Sequence, residues 1–499
     1  MIAGNFIGNT LSFSNGERFK TLNPMNNSFN EIELIEATPD EIQNTCLIAH
    51  KAFPKFNATE PKKRAELLLK IAQLLNENST ELLHWYQLES GLTEERGKIE
   101  LERTILQLED FSSLISKENW KNSHEKSEGS LNGSTTQSLK KIKQGIGPVL
   151  VFGASNFPFA YSTIGGDSVA ALAAGCPVIV KSHPFHAVLS YKVAELVLKA
   201  GELTQIPNGF FSHLNAFSHE VGKLLVLHPA IKAIGFTGSI KGGLAIRKLS
   251  QQRPDEIPVF AEMGSLNPIV LFPSAIESKK EIEEITSKLA QSITQSSGQF
   301  CTKPGALFLI ENDSTREFIF ELTNCIQHSP SYSLLHPTIA ENYNQLRAQI
   351  EKIPTVTKAT IDSFPNNSNV GHPQLSITDA STFLKYSLLQ EEVFGPHCAL
   401  ICCRSFEELF NCITRLLGQL TVSIFSKETS SEEFSNIVDL TMQKAGRIIL
   451  NGVPTGVQVH AAMQHGGPFP SSSDTRFTAV GTDSIHRFIR NVCLQGFEY

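Results

Sequence analysis

Short apolar runs alternate with helical stretches through the middle of the chain. Strands are predicted at 148–152, 177–181, 209–214, 231–236 and 257–261, with helices at 162–174, 186–200, 218–227 and 239–250. Short apolar strands separated by helices are typical of βαβ units, which build a parallel sheet with helices on both faces. Such sheets bind nucleotides at the carboxyl ends of their strands. The pattern therefore predicts an α/β unit with a nucleotide site at one edge.

A block of helices precedes this unit. Thr59-Glu60-Pro61 is a helix start, because a proline in the first turn lacks only an N–H group that has no helical partner. Apolar residues then recur at helical spacing on one face, at Ala65, Leu68, Leu69, Ala72 and Leu75. Two further helical runs extend to about Lys117, so the sequence predicts a packed helical layer.

The remaining segments flank these two units. Residues 1–35 are rich in asparagine and mildly strand-like, and we expect them to form an arm on a larger body. Residues 121–137 form a polar break, and 138–144 predict a solvated strand. A second α/β region is predicted at 267–452. The C-terminal tail carries much apolar surface for a terminus, at Ile485, Phe488, Ile489, Val492 and Phe497.

Composition and charge narrow the class of protein. A chain of 499 residues is too long for one hydrophobic core. Its 41% hydrophobic and 19% charged residues are typical of a globular protein, and its net charge of −7 argues against a nucleic-acid partner. The longest apolar run, 169–180, is shorter than the ~20 residues of a membrane span. The N-terminus has no secretion signal, so we expect a cytoplasmic protein without a membrane partner.

Metal sites are not expected. The nine cysteines contain no Cys-x-x-Cys pair, and their scatter is not that of a disulfide framework. His183 with His186, and His460 with His465, have spacings that suit a metal. Because no set of carboxylates accompanies either pair in the sequence, we predict a metal-free protein.

Three residues have the chemistry of an acyl-transfer site. Cys301 ends the polar run 291–297 and is either a thiolate nucleophile at a pocket or a small buried residue. Glu262 ends an apolar strand. Because carboxylates are seldom fully buried without a partner, it is either an edge residue or a residue of a functional site. Asn156 follows a strand in a turn fixed by Pro158, where asparagine is also common for local reasons. None of the three is decisive alone.

Further motifs stand where a nucleotide site is predicted. Lys181 ends a strand. It is either a residue of the nucleotide site or a surface lysine whose aliphatic stem is buried. Residues 235–239 form a glycine-containing turn, followed by Gly243. A helix that begins at Ser239 presents free N–H groups, which favour a pyrophosphate. The acidic run 391–396, Glu-Glu-Val-Phe-Gly-Pro, would alone be an ordinary turn.

In this order and at these separations, the motifs resemble the aldehyde dehydrogenase superfamily over nearly the whole chain. The resemblance implies an α/β fold with two parallel-sheet domains and a small oligomerisation element. The cofactor domain, Rossmann-like, would comprise 1–120 and 147–262, and the catalytic domain 263–455. The oligomerisation element would comprise 121–146 and 482–499, which implies a homodimer or homotetramer.

The resemblance also implies a reaction. The cysteine matching Cys301 attacks an aldehyde to form a thiohemiacetal, and a thioester remains after oxidation. The glutamate matching Glu262 activates the water that hydrolyses this thioester. Relatives that pass the acyl group to coenzyme A generally lack that glutamate. The amide matching Asn156 binds the oxyanion together with the backbone N–H of the cysteine. A catalytically inert member with a structural role is the alternative from another class.

The cofactor implied is NADP, with NAD use also expected. The residues that would bind it are Phe152, Lys181, Ser182, His183, Gly238, Ser239, Gly243, Glu392 and Phe394. In the family, the glutamate matching Glu392 holds the nicotinamide ribose and Phe394 borders the ring. NAD-specific relatives often carry a glutamate where this chain has Pro184, so the repulsion against a 2′-phosphate is missing.

Three stretches resemble one branch of the superfamily. They are Lys181-Ser182-His183-Pro184, Thr302-Lys303-Pro304-Gly305, and 451–476 with its His-Gly-Gly-Pro-Phe-Pro run. This branch oxidises 2,5-dioxopentanoate (α-ketoglutarate semialdehyde), and it also includes NADP-dependent fatty aldehyde dehydrogenases, the second candidate.

The substrate residues expected from this resemblance are Phe157, Phe300 and Arg476. The arginine would bind a substrate carboxylate through its planar fork. Its alternative is an ion pair at the surface or at a subunit interface. Ala154-Ser155 replaces the Pro-Trp of many members, which affects only the rim of the site.

Overall fold

The structure is a computed structural model that describes residues 2–117, 122–126, 129–131, 134–136, 138–361 and 369–497. Its strands, in chain order, are β1 (Ile2–Ala3), β2 (Asn5–Ile7), β3 (Thr10–Ser12), β4 (Arg18–Asn23), β5 (Ser28–Ile35), β6 (Asn122–Lys126), β7 (Gly129–Leu131), β8 (Ser134–Thr136), β9 (Leu139–Gly145), β10 (Val149–Phe152), β11 (Val178–Lys181), β12 (Phe211–Leu214), β13 (Ala233–Thr237), β14 (Val259–Glu262), β15 (Ile269–Leu271), β16 (Ala306–Ile310), β17 (Tyr332–Ser333), β18 (Thr357–Lys358), β19 (Val370–Gly371), β20 (Gln374–Asp379), β21 (His397–Cys403), β22 (Gln419–Phe425), β23 (Ala445–Leu450) and β24 (Ile489–Gln495).

The helices connect or cover these strands. In chain order they are α1 (Pro39–Ala58), α2 (Pro61–Glu77), α3 (Ser79–Ser90), α4 (Glu94–Ser116), α5 (Gly166–Ala174), α6 (Ala187–Leu203), α7 (His219–Leu227), α8 (Ile240–Ser250), α9 (Lys279–Thr294), α10 (Thr315–Gln327), α11 (Pro337–Glu351), α12 (Ala380–Lys385), α13 (Phe406–Arg415) and α14 (Glu432–Met442). Within the described residues, no helix is long and apolar enough to cross a membrane.

The first large sheet has the order β14-β13-β10-β11-β12-β2-β3. Its strands β10 to β14 are parallel to their neighbours, which confirms the parallel sheet predicted from the alternating pattern. Residues 1–35 are more than an arm on its surface, because β2 pairs antiparallel with β12 and extends the sheet. Val149 and Val151 pack in one core and Leu150 in another, as expected for a strand covered by helices on both faces.

The second large sheet has the order β18-β20-β21-β16-β15-β22-β23. Apart from β18, which pairs antiparallel with β20, its strands are parallel. Val270 packs in one core, and Ile269 and Leu271 pack in another on the opposite face. The predicted α/β class with two parallel sheets is confirmed, with antiparallel strands added only at sheet edges.

In the helical layer, α2 begins at Pro61 as predicted, but the face of α2 that is buried differs from the predicted one. Leu69 is 49% exposed, whereas Leu67, Ile71 and Leu74 are buried. The buried face is therefore wider and rotated away from Leu69. It packs against α4, which also covers the first sheet through α5.

The helix predicted at 162–174 begins later, at Gly166. The backbone N–H groups of Phe159 and Ala160 donate to the Glu100 carboxylate, at 2.8 and 3.1 Å, and the carbonyl of Ala160 accepts from Gly166. A buried carboxylate on α4 thus holds the residues before Gly166 in a turn. Such a contact between distant segments leaves no local signal in the sequence.

A smaller antiparallel sheet joins two distant parts of the chain, in the order β24-β9-β6. The predicted strand at 138–144 is β9. The polar break at 121–137 contains β6, β7 and β8 and lies partly outside the described residues. In the tail, Ile485 and Phe488 are buried in the core of the first sheet. Part of the apolar surface that we expected at a subunit contact is therefore covered by the chain itself.

Candidate active site

Cys301 follows a backbone turn in a rare conformation. After α9 ends at Thr294, Ser296, Ser297 and Gly298 all have positive φ, at 50°, 53° and 63°. Non-glycine residues seldom adopt this left-handed region. At Gly298 a side chain would also meet the backbone of Gly395, because a Cβ would lie 2.5 Å from its carbonyl oxygen. The turn redirects the chain so that Cys301 reaches a cavity.

Two buried amides hold this turn. The Gln299 side chain donates to the carbonyl of Ser296 at 3.1 Å and accepts from the N–H of Leu335 at 2.8 Å. Asn267 donates from its Nδ2 atom to the carbonyls of Cys301 and Lys303, at 2.8 and 3.1 Å. Satisfied polar groups in a low-dielectric interior make rigid networks. The cysteine is therefore presented on a fixed backbone.

The Cys301 side chain is half-buried at the bottom of a cavity of about 960 Å³. Burial raises the pKa of its thiol well above the usual value, and the nearby Glu262 carboxylate raises it further. The cations Arg103 and Arg447 act in the opposite direction. The thiol is thus protonated at rest, and a proton acceptor has to be near it for attack.

Glu262 ends β14, as the sequence predicts, and lies in the site. Residues 471–473 run antiparallel beside β14, with hydrogen bonds from Met263 N–H to Ser471 and from Ser473 N–H to Ala261. The Glu262 side chain is only 4% exposed. Neither of its oxygens accepts a well-formed hydrogen bond from the described residues.

His465 lies between these two groups. Its Nε2 atom is 3.0 Å from Oε1 of Glu262 and 3.6 Å from Sγ of Cys301. Its backbone N–H donates to Thr478, and its carbonyl accepts from Ala479, which fixes the imidazole in place. The side chain is buried. The arrangement connects the thiol to the carboxylate through one imidazole.

From the sequence, His465 is considered only as a possible metal ligand, and no set of carboxylates accompanies it along the chain. The folded C-terminal segment nevertheless places His465 against Glu262. The ligand atoms of Glu262, Cys301 and His465 all lie within 4.8 Å of one another, close enough for one cation. The absence of a metal stays a prediction. The signal that was available is the His-Gly-Gly-Pro run, where glycines allow close backbone approach.

Asn156 lies beside the cysteine turn. Its Nδ2 atom donates to the carbonyl of Gln299 at 3.1 Å, and its own carbonyl accepts from the Arg96 guanidinium at 2.7 Å. Asn156 is buried at the site. Among the described residues, Gln299 is the single acceptor for its amide, so one amide proton remains for a ligand.

Aromatic rings and arginines form the cavity wall. Phe157 packs edge-to-face against Phe300 and Tyr161, with centroid distances of 5.5 and 5.3 Å. The Arg96 guanidinium lies 4.4 Å above the Phe300 ring, and Arg103 lies 5.2 Å above the Tyr161 ring. Phe157 and Phe300 therefore line the cavity, as the sequence analysis expects of substrate residues.

Arg476 lies elsewhere. Its side chain is exposed, donates to Asp474 at 2.9 Å, and borders a different cavity beside β9 and β24. The geometry agrees with the alternative of a surface or interface ion pair and contradicts contact with the Cys301 cavity. Sequence reasoning missed Arg96 and Arg103, although both lie next to the buried face of an amphipathic helix.

The predicted cofactor residues gather at the carboxyl edge of the first sheet. Phe152 ends β10 and Lys181 ends β11. Burial lowers the pKa of Lys181 to about 8, and Glu36 counteracts this shift. The Ser182 hydroxyl accepts from the N–H of Ala216, and Nδ1 of His183 accepts from the N–H of Phe185. Burial lowers the pKa of His183, so its ring is neutral and offers an Nε2–H donor.

The first turn of α8 packs closely against the residue that follows β14. The Ser239 hydroxyl accepts from the N–H of Gly242 at 3.1 Å and caps the helix, while Gly238 donates to the carbonyl of Glu262. Gly243 is buried against Met263, where a Cβ would lie 2.5 Å from the sulfur. The first N–H groups of α8 remain available for an anion.

The acidic run 391–396 lies in the same region. The Glu392 carboxylate faces the backbone of Gly264, and burial raises the pKa of Glu392 to about 7, with Lys303 opposing the shift. The Lys303 ammonium is buried and donates to the carbonyls of Val393 and His397, at 3.1 and 2.8 Å. Phe394 packs on the core beside the first sheet. Glu392 and Phe394 thus lie near Glu262.

Comparison with known proteins agrees with this geometry. The aldehyde dehydrogenase family profile matches residues 12–491. The chain is 36% identical to the alpha-ketoglutaric semialdehyde dehydrogenase of Acinetobacter baylyi, covering 98% of this chain and 94% of that protein. It is 35% identical to alpha-ketoglutaric semialdehyde dehydrogenase 2 of Azospirillum brasilense, covering 92% and 88%. A solved 3,6-anhydro-L-galactose dehydrogenase in complex with NAP superposes with a TM-score of 0.85 at 19% identity, covering 99% and 100%.

The structural likeness confirms the fold, and the profile and the two relatives confirm the superfamily expected from the motifs. Because the match extends over nearly the whole chain, this protein belongs to the aldehyde dehydrogenase family.

Proposed function

We propose that this protein oxidises an aldehyde to a carboxylic acid through a covalent intermediate on Cys301. The observation that supports this most directly is the convergence of a thiol, an imidazole and a carboxylate within 4.8 Å of one another, with the thiol in the wall of a large cavity. These groups come from three distant parts of the chain. The glutamate at position 262 favours hydrolysis over transfer to coenzyme A.

The first step is attack of Cys301 on the aldehyde carbon. His465 accepts the thiol proton, because its Nε2 atom is 3.6 Å from the sulfur, and the Glu262 carboxylate stabilises the resulting charge. The amide of Asn156 and the backbone N–H of Cys301 donate to the oxyanion of the thiohemiacetal. Such donors strengthen as charge develops in a site that excludes water.

The second step releases the acid. When bound, NAD or NADP supplies the acceptor for the hydride of the aldehyde carbon, and members of this family use one of these two cofactors. Glu262 then takes a proton from a water molecule, whose oxygen attacks the thioester and frees the Cys301 sulfur. Its burial and its position within 4.8 Å of the Cys301 sulfur suit this role as general base.

The residues present fit a nicotinamide dinucleotide. The N–H groups at the start of α8 suit the pyrophosphate, and Gly243 lets this helix pack closely on Met263. Lys181 and Phe152 stand at the strand ends for the adenosine part, and Glu392 and Phe394 lie near Glu262 for the nicotinamide part. We propose that Ser182 and His183 shape the pocket of the 2′-phosphate, with Nε2–H of His183 as a donor.

We expect kcat/KM with NADP to exceed that with NAD at least about tenfold, the contribution of one charged hydrogen bond. Lys181 supplies the positive charge, and Pro184 leaves no repelling carboxylate. NAD is still accepted, because the lack of a repelling carboxylate permits NADP without excluding NAD. Steady-state assays with both cofactors measure the ratio, and Pro184→Glu, which places a carboxylate there, should invert it. A wild-type kcat/KM for NAD far above that for NADP contradicts the assignment.

The proposed substrate is 2,5-dioxopentanoate, with 2-oxoglutarate as product. Two relatives at 35% and 36% identity carry the name of this activity. A cavity whose wall includes Arg96 and Arg103 suits a short aldehyde with a carboxylate, since burying an unpaired anion costs several kcal/mol. A long-chain aldehyde is the second candidate, favoured by the aromatic wall of Phe157, Phe300 and Tyr161.

Chain length and charge separate these two candidates. We expect kcat/KM for 2,5-dioxopentanoate and succinate semialdehyde to exceed that for hexanal and decanal at least about tenfold, because the uncharged aldehydes lose a charged hydrogen bond. Production of NADPH at 340 nm (or NADH) is the measurement. A clear preference for decanal supports the fatty aldehyde alternative. No turnover of any aldehyde with either cofactor supports the inert one.

We also propose the domain division expected from the sequence, with 1–120 and 147–262 for the cofactor, 263–455 for catalysis, and 121–146 with 482–499 for oligomerisation. The sheet β24-β9-β6 supports the last assignment, because edge strands readily pair with another chain. A homodimer or homotetramer is the expected assembly.

A further inference from the structure

Two arginines of α4 face the cavity without an anionic partner. Arg96 and Arg103 are seven residues apart and therefore share one face of the helix. Both line the cavity that contains Cys301. Within the described part of the chain, neither guanidinium lies in an ion pair with a carboxylate.

The carboxylate between them on this helix is already occupied. Glu100 accepts from the Tyr86 hydroxyl at 2.9 Å and from the backbone N–H groups of Phe159 and Ala160. Its role is to hold the turn before α5. Its oxygens are directed at these donors, and it forms no ion pair with Arg96 or Arg103 in the described part of the chain.

The three arginines near the cavity have different partners within the protein. Arg96 donates to the carbonyl of Asn156 and lies between the rings of Phe157 and Phe300. Arg447 donates to the carbonyls of Pro454 and Gly456, and so holds the segment that follows β23. Each is held by these contacts, and each keeps one buried nitrogen with no acceptor among the described residues.

Arg103 lines the same cavity as Cys301 and is the arginine of the cavity wall whose charge acts on the Cys301 thiol. Its Nη2 atom donates to the Tyr161 hydroxyl at 3.0 Å, and its Nε–H is buried with no acceptor among the described residues. A buried donor without a partner is costly and needs an explanation. The charge of Arg103 also acts on the Cys301 thiol, whose pKa it lowers, so the two groups face the same space.

We propose that Arg103 is a specificity-determining residue that binds the carboxylate of the substrate while the aldehyde carbon lies at Cys301. This inference rests on the proposed function and assigns the group that selects a short carboxylate-bearing aldehyde. Four C–C bonds of about 1.5 Å span roughly 5 Å, so a five-carbon chain places its carboxylate near the reacting carbon. A donor on the cavity wall beside Cys301 can meet it there, and Arg103 belongs to that wall.

Arg96 has a supporting part in this arrangement. It adds positive charge to the same wall and holds the carbonyl of Asn156, which keeps the oxyanion amide in position. The Tyr161 hydroxyl holds the Arg103 fork in a fixed direction. A positioned guanidinium binds a carboxylate more strongly than a mobile ammonium does.

The test compares two aldehydes of equal length, succinate semialdehyde and butanal, in wild-type protein, Arg103→Gln and Arg103→Lys. We expect Arg103→Gln to lower kcat/KM for succinate semialdehyde about 10- to 100-fold, as for loss of a charged hydrogen bond. Its kcat/KM for butanal should fall no more than about threefold, because butanal makes no such bond and loses only the effect of the charge on the Cys301 thiol. Arg103→Lys should recover part of the loss. Calorimetric binding of 2-oxoglutarate should weaken in parallel.

Arg404→Gln is the matched control, since it removes one charge from an exposed pair with Glu408. It should leave both substrates unchanged. Equal losses for both aldehydes in Arg103→Gln would mean that Arg103 acts on Cys301 or Tyr161, and would overturn the proposal. Unchanged kinetics would overturn it as well. If Arg103→Gln does not fold, Arg103→Lys gives the same comparison, because its single ammonium still lacks the Nε–H and the planar fork.

Failure of the proposed function has a different signature. It appears in the wild-type protein, as a preference for decanal or as no turnover of succinate semialdehyde. The Arg103 inference fails only if the wild-type protein prefers the charged aldehyde and the Arg103 variants keep that preference.

Discussion

Replacing Cys301 with alanine should abolish aldehyde oxidation, with a loss in kcat of at least about 10⁴-fold, as for removal of other catalytic nucleophiles. The sulfur is the atom proposed to bond to the substrate. Cys325 also lines the cavity, but the Cys301 sulfur is the one that lies within 4.8 Å of His465 and Glu262 among the described residues. Imidazole and carboxylate remain in place, so the loss isolates covalent catalysis. Steady-state production of NADPH from succinate semialdehyde gives the measurement.

Two controls make this result specific. Cys493 is exposed on β24, and Cys493→Ala should retain wild-type kinetics. Binding of NADP to Cys301→Ala, followed by fluorescence, should be unchanged because the cofactor residues lie on the first sheet. Turnover by Cys301→Ala within tenfold of the wild type would exclude Cys301 as the nucleophile.

Glu262→Gln should slow the steady state about 10²- to 10⁴-fold, the usual contribution of a general base. The first turnover should survive, because His465 still lies beside Cys301 and can accept the thiol proton. A stopped-flow experiment should therefore record a burst of about one NADPH per site, followed by a slow phase. Mass spectrometry of the quenched protein should find the acyl group on Cys301.

Glu220→Gln is the control for this change, since Glu220 is exposed in an ion pair with Lys223 on α7. It should have no kinetic effect. A loss of the burst together with the steady state would place Glu262 before the thioester instead, as a partner that His465 requires during attack.

Local sequence pattern determined the architecture to a large extent. The alternation of apolar strands and helices from residue 148 onward predicted β10 to β14 with bounds within two residues, because burial on both faces leaves a continuous apolar run. It also predicted where Lys181 and Glu262 lie, since both end their strands. The order of Asn156, Glu262 and Cys301 led to the family. These features depend on neighbours in the chain.

Tertiary structure alone decided which distant groups meet. His465 reaches Glu262 because residues 471–473 pair with the edge strand β14, and hydrogen bonds between segments so far apart leave no periodic signal. The same reason explains why Arg103 rather than Arg476 faces the Cys301 cavity. Both are arginines beside apolar residues, and only the packing of α4 against the turn before α5 separates them. The amino-acid sequence determined the chemistry of each side chain, and the packing of distant segments determined which partner it contacts.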